Sequence, residues 1–200
     1  KRSVSSRMVG MQVRGQGMRA RNAHDEILDA ARAVVARDGP GRLTIEAVAR
    51  EIGMSKGGVL YNFPSKLALL EGLLRQMILA FEQGVMEFRN AAAGRSNPTL
   101  RALADAFEHF DRFDPNLSMA IIAAAAEAPD LLEPLNQLLG GHVKQVLSET
   151  ADPALALVVL TALDGLRFQH LLRLSAPDPA QRETTLERLR QIIEALEPRK

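Results

Sequence analysis

Residues Thr44–Lys66 read TIEAVAREIGMSKGGVLYNFPSK, and their spacing decides how the N-terminal part of the chain folds. Thr44 is a residue type that caps helix N-termini, so a short helix is expected over Ile45–Ile52, with Gly53 supplying the turn after it. Ser55 is suited to cap a second short helix, Lys56 to about Asn62, which must stop ahead of Pro64. Two short helices that cross steeply need a small residue where their backbones approach and a residue tolerant of positive φ in the turn. They also need an apolar plug that seats the second helix on the first. Ala49, Gly53 and Val59 meet those needs, and Val48, Ile52 and Met54 complete a miniature core. A generic helical hairpin would favour the same Ala, Gly and Val, so spacing alone leaves both a helix-turn-helix and a plain hairpin open.

Outward from this stretch the apolar residues keep a helical period, with no alternating run long enough for a sheet, so the fold class is all-α with about nine helices. Upstream, Ile27, Ala30, Ala31, Val34 and Val35 share one face of a helix from about Asn22 to Asp38, which Gly39, Pro40 and Gly41 end. Downstream, helices are expected over Lys66 to about Ala93, Thr99–Phe113, Leu117–Glu127, Leu131 to about Thr150 and Pro153 to about Leu174. A last one starts at Pro179 and ends before Pro198. Gly15–Ala20 reads GQGMRA, a dinucleotide-type GxGxxA string, but no strand precedes it and it is set aside. Three segments result: 1–21, a basic arm expected to be disordered; 22–66, the helix-turn-helix unit; and 67–200, a larger helical domain.

Charge separates these segments. Residues 1–66 carry 12 Lys and Arg against 6 Asp and Glu, and residues 67–200 carry 13 against 18. The excess of the first part lies wholly in residues 1–21, a footprint common in nucleic-acid binders, although a solvated tail or sequence upstream of a start at Met8, Met11 or Met18 gives the same pattern. There is no cysteine, which fits a reducing cytoplasm, and no apolar run approaches the roughly 18 residues that would span a bilayer. A cytoplasmic protein without a membrane partner is expected. His24, His109, His142 and His170 are too scattered for a metal pair and no GxSxG elbow occurs, so no catalytic residue, metal or cofactor is expected.

The run from Ala23 to Leu70 resembles the DNA-binding domain of the tetracycline repressor family. That family's pattern is T-x-x-x-[IV]-A-x-x-[AL]-G-[VM]-S-x-[GP] followed by [LV]-Y-x-[HY]-F-x-[SN]-K, against LTIEAVAREIGMSKGGVLYNFPSK here. Alignment on Ser55, Phe63 and Lys66 puts Leu60 at the usual tyrosine position, Tyr61 at the variable one and Asn62 where His or Tyr is common. One residue turns a helical side chain by about 100 degrees, so Leu60 is expected to pack and Tyr61 to point elsewhere.

The resemblance implies that the Ser55–Asn62 helix enters the major groove of double-stranded operator DNA. The implied contacts are Thr44, Ser55, Lys56, Gly57, Gly58, Tyr61, Asn62 and Lys66. Lys56 can reach a phosphate or a guanine edge, Gly57 and Gly58 would let the backbone come close, and Lys66 joins an ammonium to a helix N-terminus. It further implies a homodimer built on the last two helices and a site for an apolar or amphipathic small-molecule effector. Leu155–Leu174 is apolar on almost every side, and Leu186, Leu189, Ile193 and Leu196 form a coiled-coil-like stripe, with ordinary core as the other reading. Candidate ligand-binding residues are Phe107, His109, Phe110, Phe113, Met119, Asp164, Arg167, Phe168 and His170, with Ile122 and Leu163 as further candidate lining and Gln169 as a further polar contact. The expected function is a repressor released from a palindromic operator by its effector; the alternative is a helical ligand-binding or interaction module that has lost DNA binding.

Overall fold

A single 26-residue helix, α4 (Lys66–Ala91), joins the two halves of the molecule, running roughly 39 Å at 1.5 Å per residue. The computed structural model describes residues 23–107, 114–172, 174 and 177–199; the basic arm lies outside them, as do His109, Phe110 and Phe113. Ahead of α4 come α1 (Ala23–Asp38), α2 (Ile45–Ile52) and α3 (Lys56–Asn62). After it come α5 (Pro98–Phe107), α6 (Pro115–Glu127), α7 (Glu133–Glu149), α8 (Pro153–Leu171) and α9 (Pro179–Ala195). The described residues are all-α, with nine helices and no strand beyond a lone bridge between Thr150 and Pro198.

Prolines and caps set the helix ends where the periodicity was less informative. α6 begins at Pro115, two residues before its first buried leucine, because Asp114 accepts a bond from the Asn116 N–H at 2.9 Å. A 3-10 turn over Pro129–Leu132 takes the start of the segment expected as one helix from Leu131, and α7 proper opens at Glu133. At α9 the Asp178 carboxylate accepts from the Gln181 N–H while the Gln181 side chain accepts from the Asp178 N–H, a reciprocal cap.

Two hydrophobic cores result. The first gathers Ile27, Leu28 and Val35 of α1, Val48 of α2, Val59 of α3 and Leu69, Leu70 and Leu73 of α4, and it takes in Leu117, Ile121 and Ala125 of α6 together with Leu131. Gly72 of α4 lies where the helices come closest: a Cβ there would meet Leu28 Cδ2 and Phe63 Cε1, both at 2.9 Å. The second core joins Phe81 and Val85 of α4 to α5, α7, α8 and α9. Glu149 ties its far end, accepting from the Thr99 N–H at 2.8 Å and hydroxyl at 2.7 Å, while buried Asn97 donates to the Leu196 carbonyl at 2.8 Å. Leu186, Leu189, Ile193 and Leu196 are buried in this second core, so the α9 stripe packs within its own chain. Facing outward from α9 are Glu183, Glu187, Arg188, Gln191 and Glu194.

Candidate nucleic-acid interface and ligand cavity

Both short helices are capped at their N-termini. Thr44 Oγ1 accepts from the Ala47 N–H and Ser55 Oγ from the Gly58 N–H, each at 3.1 Å, which satisfies donors that a helix start leaves open. Gly53 turns the chain at φ 67°, and the Met54 N–H closes the turn onto the Ala49 carbonyl at 2.9 Å. Val59, fully buried, seats α3 on the first core, and Leu60 packs partly against it. Tyr61 is 90% exposed. The one-residue shift of the aromatic has therefore put leucine against the core and the phenol into solvent. Lys56, Gly57 and Tyr61 make an exposed face on which no side chain is spent on packing.

The two glycines differ. At Gly57 a Cβ would meet nothing closer than Ser55 Oγ at 3.9 Å, so that backbone is open to an approaching surface. At Gly58 it would meet Met54 Cγ at 2.8 Å and Sδ at 2.9 Å, so this glycine serves the packing of α3 on the turn. Asn62 is half-buried, and its amide donates to the Gly58 carbonyl at 3.0 Å, closing the last turn of α3. Lys66 is exposed in the first turn of α4, where Ser65 Oγ accepts from the Ala68 N–H at 3.1 Å.

Sequence reasoning missed Glu46. Its carboxylate lies 2.6 Å from Lys56 Nζ, bridging the first turns of α2 and α3. That hydrogen bond holds the Glu46 carboxyl below the usual range. Both groups are exposed, so the pair adds little to stability, but it governs whether the Lys56 charge is available to a third party. The signal lay in the ten-residue spacing of Glu46 and Lys56, each in the first turn of its helix, which a reading of each helix alone does not use.

A cavity of about 210 Å³ lies between α4, α6, α7 and α8. Met77, Ile78 and Phe81 of α4, Ser118 and Ile122 of α6, and Leu135 and Leu138 of α7 face Asp164, Arg167 and Phe168 of α8 across it. Of the expected ligand residues Ile122, Asp164, Arg167 and Phe168 are brought together there. Met119 is exposed and absent from the lining, His170 is also absent, and Leu163 is core. Phe81 and Ser118 are among the lining residues that sequence reasoning did not single out.

The charges at this wall are balanced. Arg167 Nη1 lies 3.1 Å from Asp164 Oδ1, and its guanidinium carbon stands 5.3 Å from the centre of the Phe81 ring. Behind Phe81, His142 meets that ring edge-on at 5.9 Å between centroids and has Nε2 at 3.3 Å from Glu82. Burial shifts all three groups toward their neutral forms: Asp164 upward, Arg167 and His142 downward. Among the described residues no group of three His, Asp or Glu could hold a metal ion.

The outer face of α8 is apolar. Leu155, Leu157, Val158 and Phe168 are exposed, Val158 at 63%, and Ala154, Thr161 and Gly165 lie on the same side; no charged residue falls between Asp152 and Asp164. By length and composition alone this helix is apolar enough to cross a membrane, although Asp164 and Arg167 interrupt its apolar run. Its inner residues Ala156, Val159, Leu160 and Leu163 are in the second core.

Residues 27–73 match the family model for bacterial regulatory proteins of the tetR family, and residues 97–194 match that for the tetracyclin repressor-like C-terminal domain. Nucleoid occlusion factor SlmA of Vibrio atlanticus (strain LGP32) is 28% identical over 142 residues, 66% of this chain and 70% of that protein. Among solved structures, the multidrug binding protein EbrR complexed with ethidium is similar at 26% identity and TM-score 0.63, covering 84% of this chain and 97% of that one. A TetR family member from Streptomyces coelicolor A3 is similar at 24% identity and TM-score 0.64, over 86% and 98%.

Proposed function

Because the chain belongs to the tetracycline repressor family, DNA-binding transcriptional regulators and not enzymes, we propose that it is a homodimeric repressor that leaves a palindromic operator when a small molecule fills the cavity between α4, α6, α7 and α8. Residues 22–66 read the DNA, and residues 67–200 hold the effector and the partner. The observation that carries the reading is the construction of α3. It is anchored by one buried valine and a capped N-terminus, and it presents Lys56, Gly57 and Tyr61 to solvent where a major groove would receive them. A mobility-shift assay of the full chain against the DNA upstream of its own coding region tests it. One retarded complex that resists bulk competitor DNA is expected. Failure to shift any duplex would favour the helical module without DNA binding.

Lys66 and Glu46 give separable outcomes. Lys66→Ala is expected to weaken binding to operator and unrelated duplexes alike, and to flatten the salt dependence by about one unit per half-site, as loss of a phosphate contact does. Glu46→Gln removes a carboxylate from the DNA-facing surface and releases Lys56. Binding to a scrambled duplex should tighten severalfold and its salt slope should steepen by about one unit per protomer. Fluorescence anisotropy at three salt concentrations reads both, and a slope unmoved by Glu46→Gln would show that Lys56 does not reach phosphate.

A further inference from the structure

The cavity that the proposed effector fills has walls of a particular chemistry, which bears on the effector's class if that reading is right. A cavity of about 150 Å³ lined by aliphatic and aromatic side chains accommodates benzene; at about 210 Å³ this one takes roughly eight to ten non-hydrogen atoms. Its walls are almost wholly apolar. They hold a positive and a negative side chain already joined at 3.1 Å, so a cation entering meets the Arg167 guanidinium and an anion meets the Asp164 carboxylate, each in a setting that strips its hydration. The Phe81 face does not rescue the cation, because Arg167 already stands over that ring.

One hydroxyl in the wall is left over. Ser118 is 6% exposed, and its hydroxyl has no hydrogen-bond partner among the described residues. A buried hydroxyl without a partner is costly, and a ligand oxygen would relieve it.

We propose that the cavity selects a small neutral molecule, on the scale of a substituted single ring or a short alkyl chain, with one hydroxyl or carbonyl oxygen placed at Ser118, and that it rejects organic ions of the same size. In this respect it parts from EbrR, whose solved complex holds the cation ethidium.

Isothermal titration calorimetry of the full chain with four probes of matched size decides the matter: 4-propylphenol, propylbenzene, phenyltrimethylammonium and 4-methylbenzoate. The two neutral probes are expected to bind, 4-propylphenol the tighter, and both ions at least tenfold more weakly than 4-propylphenol. Ser118→Ala should lower affinity for 4-propylphenol roughly fivefold to tenfold, the scale of one hydrogen bond, and leave propylbenzene within about twofold. Arg167→Met, which strips Asp164 of its cation, should raise phenyltrimethylammonium affinity at least tenfold in the same assay. An ion that binds as well as 4-propylphenol overturns the inference while leaving the cavity an effector site, and so does a Ser118→Ala loss shared equally by both neutral probes. If none of the four binds, the effector reading of the cavity falls together with the inference.

Discussion

Val158→Glu is expected to yield a folded monomer and to cost operator affinity on the order of a hundredfold to ten-thousandfold. Val158 is the most exposed apolar residue of α8, in the middle of a face that runs from Ala154 through Thr161 and Gly165 to Phe168. In the proposed homodimer a two-fold axis across that face would bring each copy of the helix against the other, with Gly165 allowing close approach. An introduced carboxylate would be desolvated there without a partner, and symmetry sets a second one beside it. In the monomer the same side chain stands in water, so folding should survive. Two half-sites bound independently lose the joint contribution that separates specific from non-specific affinity, a gap of roughly 10³ to 10⁷ in such complexes, of which one protomer's contacts retain part. Light scattering should give the 21.8 kDa chain mass in place of twice that value, with unchanged helical circular dichroism. A dimer that persists would remove the α8 face from the interface.

Gly72→Val should damage the core on which the DNA-binding helices sit. A Cβ at this position already meets Leu28 and Phe63 at 2.9 Å, closer than real carbon atoms stand, and valine adds two methyl groups on the same side. Leu28 can turn part of the way aside; Phe63 is 3% exposed and packed against the His24 ring at 4.2 Å between centroids. Overpacking of this kind costs about 1 to 3 kcal/mol, or roughly 2 to 12 °C in melting temperature for a chain of this size. DNA binding should suffer beyond the loss of stability, since α4 has to move away from α1 and from the residue that follows α3. Thermal unfolding and operator binding at low temperature separate the two effects. A melting temperature within 1 °C of the parent would mean that Leu28 and Phe63 yield more easily than their burial suggests.

The helix-turn-helix was legible in the sequence because its determinants are local. Thr44, Gly53 and Ser55 act within a few residues of themselves, and the structure uses each in the capping or turning role its chemistry favours. The stripe Leu186, Leu189, Ile193 and Leu196 was legible as a buried face, but a spacing of three and four says that something covers the face, not whether the cover comes from the same chain. Here it does, and α8 carries the uncovered surface instead. The cavity was least legible. Ser118 points in and Met119 out, a difference of one helical step that depends on how α6 is rotated against α4, and Phe81 faces the site from a helix whose apolar residues serve two cores in turn. The Glu46–Lys56 pair joins two helices whose relative setting is itself the product of packing.

The division into two cores has a bearing on recombination. A graft that joins this chain's reading head to another effector domain would ordinarily be cut once, within α4. Here the first core draws Leu117, Ile121, Ala125 and Leu131 from a stretch more than forty residues further on, so a single cut leaves that core open along the side α6 covered. A transplant that keeps the head intact has to carry two separate pieces of chain, or else rebuild the α6 surface in the recipient. The seam between them is also the wall of the cavity, since Ile121 is shared by both. Exchanging the C-terminal domain of this protein therefore means redesigning a piece of its DNA-binding core.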